Sequence, residues 1–131
     1  MDERGLVLEI TKAVLRYVEV PQAALQEWAA SVAAIPADQL PALRQTILDA
    51  RARLEDAVVG RDYPDRVVVD IVRMCSERAG VQGFARGIYV GYVQEFVERP
   101  EAAPAVRQMI VEARYMIDVV LPQLPAPEAT K

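Results

Sequence analysis

Apolar residues recur along this chain at three- and four-residue intervals, and prolines or glycines interrupt them every fifteen to twenty positions, a pattern that predicts six helices. Residues 4–19 set Leu6, Val7, Ile10, Val14, Tyr17 and Val18 against Glu9, Lys12, Arg16 and Glu19, and Pro21 ends the run. A proline suits a first helical turn, so 21–34 reads as the second helix, burying Leu25, Trp28, Ala29 and Val32. Pro36 and Pro41 bracket a connector in which Asp38 is expected to cap a turn. Leu40, Leu43, Ile47, Ala50, Leu54 and Ala57 then follow a 3-4-3-4-3 spacing, the seam of a helix packed along a neighbour, with Gly60 as its stop.

The second half repeats the logic. Pro64 and Asp65 open a helix over 64–79 whose apolar positions, Val67, Val68, Ile71, Val72, Met74, Cys75 and Ala79, leave only a stripe of Arg66, Asp70, Arg73 and Glu77, so it is expected at the centre. Residues 81–98 and 102–121 complete the set, the last placing Val106, Met109, Ile110, Ala113, Ile117 and Val120 inward. The β-branched runs 67–72 and 88–93 would also suit strands, but a two-stranded sheet alone is marginal and the flanking helices are clear. The expectation is an all-α, single-domain bundle of five or six helices over 1–121 with short Pro- and Gly-marked connectors, followed by a Pro-rich flexible tail over 122–131.

One helix breaks the rules of the others. Four of the six glycines fall within residues 80–91, and Gly83, Gly87 and Gly91 are spaced four apart. Each interior helical glycine costs about 1 kcal/mol relative to alanine, so a compensating contact is expected, most simply a second backbone lying close. Sorted into columns, Phe84, Ile88, Tyr92 and Phe96 form one ridge, Ala85, Tyr89, Val93 and Val97 the next, and the glycines border the first ridge on its polar side. The docking helix belongs either to the same chain or to another copy. A ligand groove, or a break in the helix at Gly83, are the further readings. A phosphate cradle over 80–91 lacks the preceding strand and lysine that such loops use.

Composition narrows the chemistry. With 53% hydrophobic and 26% charged residues the 131-residue chain is globular, and its net charge of −4 has no basic cluster to grip nucleic acid or an anionic membrane. No uncharged apolar run approaches the ~20 residues that span a bilayer, and the Met-Asp-Glu-Arg start lacks the features of a signal peptide. The single cysteine, Cys75, points to a reducing, cytoplasmic setting, and thirteen arginines against two lysines to a GC-rich, bacterial source. There is no histidine, which removes the usual base for a thiol or serine nucleophile and the common zinc sites.

Neither a metal nor a cofactor is called for, and the carboxylates read as surface pairs at four-residue spacing, namely Arg66 with Asp70, Arg73 with Glu77 and Arg114 with Asp118. The leading functional expectation is a non-catalytic interaction or adaptor protein that meets a protein partner or forms a homodimer, through Gly83, Phe84, Gly87, Ile88, Gly91 and Tyr92. The alternative is a small-molecule-binding domain with Phe84, Tyr92, Met109 and Tyr115 around an apolar pocket. An enzyme using carboxylates and arginines would need several of them buried together.

Overall fold

The computed structural model describes residues 1–81 and 83–125, with backbone alone at 83–86. The chain is all-α, and its helices are α1 (Glu3–Leu15), α2 (Gln22–Ala33), α3 (Leu40–Val58), α4 (Pro64–Arg78), α5 (Gly83–Val97) and α6 (Ala103–Val120). Short 3-10 turns occupy Ala37–Gln39, Pro100–Ala102 and Leu121–Gln123. Four helices, α1, α3, α4 and α6, make the centre of the bundle: α4 packs against α1, α3, α5 and α6, and α1 against α2, α3, α4 and α6. The expected central position of the Val-rich helix is therefore observed. Leu6, Ile10, Leu43, Ile47, Leu54, Ile71, Met109 and Ile117 are fully buried in one contiguous core, each such side chain contributing roughly 1.5–3 kcal/mol.

Helix ends follow local chemistry. The Asp2 carboxylate accepts from the Arg4 backbone N–H at 2.9 Å and caps α1. Approaching Pro21, α1 tightens into turns in which Tyr17 N–H donates to Val14 and Val18 N–H to Leu15, so the regular helix stops at Leu15 rather than at the expected residue 19. Pro64 and Asp65 stand in the first turn of α4 as expected, but Asp38 lies exposed within its 3-10 turn and caps nothing. Gly60 and Gly80 end α3 and α4 in the left-handed region, with φ of 79° and 72°. In each case two bonds close the end: Arg61 N–H to Asp56 with Gly60 N–H to Ala57, and Val81 N–H to Ser76 with Gly80 N–H to Glu77.

α2 and α5 flank this centre and meet one another. Trp28 and Tyr89 pack edge to face with centroids 5.0 Å apart and planes at 66°. Trp28 Nε1 donates to Thr11 Oγ1 on α1 at 2.9 Å, and the Tyr89 hydroxyl donates to the Ala24 carbonyl at 2.6 Å. Ala29, expected to be buried in α2, is exposed, because the buried side of that helix is a narrow strip around Trp28 and Val32. At the C-terminus the expected extended tail does not begin at 122: Leu121–Gln123 form a turn and Leu124 is buried. Residues 126–131 lie outside the described region.

Candidate functional site

The inner side of α5 is built by Tyr89, Val90 and Val93, all buried, with Tyr92, Phe96 and Val97 packed partly against the core. The buried row is thus that of Tyr89 and Val93, and Ile88 and Tyr92 sit half-buried at its margin. With that row inward, the glycines turn outward: Gly87 is exposed and Gly91 half-exposed. A Cβ placed on either would meet, outside the adjoining turns of α5 itself, no atom of the described residues within 4 Å. Among the described residues, no helix of the same chain packs against these two glycines. No described residue covers them, and Tyr89 ties α5 to α2 from the opposite side. Gly83 starts α5, and its surroundings, like the side chain of Phe84, lie outside the described features.

Of the expected contact residues, Gly87, Ile88, Gly91 and Tyr92 share one helix, and Tyr92 lines a hollow of about 80 Å³ with Val18, Phe96 and Arg99. The residues of the alternative pocket are scattered. Met109 is fully buried in the core, whereas Tyr115 is 62% exposed beside a groove of about 460 Å³ between α1 and α6.

Several charged side chains pair between helices, which the sequence spacing did not anticipate. Arg53 is a hub on α3: its guanidinium reaches Asp56 at 3.1 Å, Asp62 at 2.9 Å and Asp70 at 2.7 Å, joining the end of α3, the corner after it and the face of α4. Backbone donation from Tyr63, together with Arg53, holds the Asp62 carboxyl below its ordinary value of 3.8. A second set links α3 to α6, with Arg51 hydrogen-bonded to Asp118 at 2.9 Å and Arg114 ion-paired with Glu55 at 2.7 Å. Arg66 meets Asp62 at 3.4 Å and Arg73 meets Asp70 at 2.9 Å, so the expected pairing of Arg66 with Asp70 gives way to other local partners, whereas Arg114 leaves Asp118 for Glu55, which the tertiary fold brings near. Nothing in the local spacing of Arg53 could have revealed Asp62 and Asp70 as its partners, since the turn at Gly60 brings them back.

A more buried pair ties the ends of the chain together. Glu3, only 2% exposed, accepts from Arg44 Nη1 at 3.2 Å, and Arg44 Nη2 reaches the Leu121 carbonyl at 3.5 Å. Cys75 is buried as the apolar face of α4 implied, and desolvation pushes its thiol up to about 12. The neighbouring Ser76 hydroxyl donates to the Arg73 carbonyl at 2.9 Å. Among the described residues no group of three or more Cys, Asp or Glu is placed to hold a metal ion, and no helix is long and apolar enough to cross a membrane. Comparison with protein-family models, with curated proteins and with solved structures finds no match to this chain.

Proposed function

We propose that this chain is a non-catalytic helical interaction protein, and that the outward, glycine-bearing face of α5 receives a helix from another protein molecule. The observation that supports this reading is the empty space above Gly87 and Gly91. Both stand inside a helix where alanine would be more stable by about 1 kcal/mol, and no described neighbour needs the missing side chain. A close-approaching foreign helix does need it. Ile88 and Tyr92, half-buried on the same helix, supply apolar and aromatic area at the margin of such a contact. The non-catalytic part of the reading rests on the lack of histidine and on a thiol held protonated by burial, and a lone cysteine suits the reducing cytoplasm.

Gly91→Leu tests the reading, because the open space lets the monomer fold with its melting temperature unchanged or raised. A fall in solution mass would identify the visiting helix as a second copy. Loss of a protein captured from the native cell by the parent chain would identify a different one. If mass and capture are both unchanged by the substitution, the reading is wrong.

A further inference from the structure

We infer that the face formed by α6 and α1 is a self-complementary surface on which a second copy of this chain docks. One side of α6 is spent on the core, through Val106, Met109, Ile110, Ala113 and Ile117. On the other, Val111, Tyr115 and Val119 are 57%, 62% and 38% exposed. These three are four residues apart and form a single ridge along the helix, where a solvent-facing side would ordinarily carry polar residues. Beside the ridge lies the groove of about 460 Å³ between α1 and α6, with the small, buried Ala13 and the half-buried Met116 among its lining. Knob and hole thus belong to one patch. A two-fold axis through that patch places the Tyr115 of each copy in the groove of the other, and i±4 ridges of this kind interdigitate when the helices cross at about 50°.

Charge selects a second copy over other occupants. Glu9 and Lys12 both line the groove, and neither has an ion-pair partner among the described residues. An isologous contact is reciprocal, so two unpaired opposite charges on one patch answer one another: Lys12 of each molecule meets Glu9 of the other. The remaining charges at the groove, Arg16 and Glu112, already bond to each other. The groove therefore has no net charge in a chain of net charge −4, so two copies meet there without like-charge repulsion, and a strongly acidic or basic partner finds no complementary field. The inference is independent of the glycine face, since α5 contributes nothing to this groove.

Sedimentation equilibrium of the full chain tests it. The parent protein is expected at twice the 14.5 kDa chain mass, in equilibrium with monomer. Tyr115→Glu should weaken that association by about 30-fold or more, as removal of a central aromatic anchor does, while circular dichroism and melting of the dilute monomer stay as they were. Lys12→Glu should also weaken it, and adding Glu9→Lys should restore it. A parent chain that stays at single-chain mass up to about 1 mM would overturn the inference. So would a dimer that survives Tyr115→Glu. A dimer that survives Tyr115→Glu but dissociates in Gly91→Leu would assign the seam to the glycine face, and the opposite result would assign it here.

Discussion

Gly60 and Gly80 close helices, whereas Gly87 and Gly91 lie within one, and the same residue type meets two different demands. At the closing positions φ is 79° and 72°, a region that an L side chain enters only with strain, and the helix-ending hydrogen bonds depend on it. In α5 the backbone is helical, a conformation open to every residue but proline, and the space over both glycines is open among the described residues. The first pair is therefore explained within the chain, by backbone geometry. The second pair has no such explanation among the described residues, and that contrast motivates the surface proposed for a partner.

Alanine at each glycine separates the two cases by sign. Gly60→Ala and Gly80→Ala should each destabilise the monomer by about 1–2 kcal/mol, and the double variant by roughly the sum, since the two corners share no hydrogen bond. Denaturant unfolding at low protein concentration measures this, and a neutral outcome would show that the corners relax to another helix ending. Gly87→Ala and Gly91→Ala should instead stabilise the monomer, by up to about 1 kcal/mol each. A loss at either position would mean that the chain itself uses the space, and the proposed docking surface would have to be abandoned.

The inner side of α5 sharpens the comparison further. Tyr89→Phe keeps the ring against Trp28 but removes the hydroxyl that donates to Ala24, and should cost about 1 kcal/mol in thermal or denaturant unfolding. Because this bond lies on the side of α5 opposite the glycines, it should leave any association through the glycine face unaltered. A change in solution mass with Tyr89→Phe would mean that the two sides of the helix are coupled.

What could be read from the sequence was what depends on periodicity and punctuation. The 3-4 spacing from Leu43 to Leu54 and the breaks at Pro21, Gly60 and Pro64 place their helices within a few residues, since these signals are local. The direction that α5 faces was not readable to the same degree. Its apolar residues occupy two adjacent columns, Ile88–Tyr92–Phe96 and Tyr89–Val93–Val97, and the sequence favours neither as the buried one. The inward Tyr89 has its ring contact with Trp28, which lies 61 residues away along the chain. The ion-pair hub was hidden for a related reason. Four-residue spacing suggested pairs along α4, yet Arg53 is held by Asp62 and Asp70 because the Gly60 corner folds α4 back along α3.

That corner also carries the smallest expected effect. The Asp62 carboxyl accepts from the Tyr63 backbone N–H at 2.7 Å and from Arg53 at 2.9 Å, and both interactions favour its ionised form in the folded chain. Its folded value lies below the ordinary 3.8, so at low pH the unfolded chain binds a proton that the folded chain does not. The contribution is therefore present above about pH 4 and is lost as the pH falls through the folded value. Asp62→Asn removes the titrating group, and its melting temperature should fall less steeply than that of the parent between about pH 4 and pH 2. Because Arg53 also binds Asp56 and Asp70, the variant should keep the α3–α4 corner closed at neutral pH, with only a small loss of stability. Parallel pH profiles for the two proteins would show that the Asp62 contacts add nothing to the folded state, leaving Gly60 alone to account for the turn.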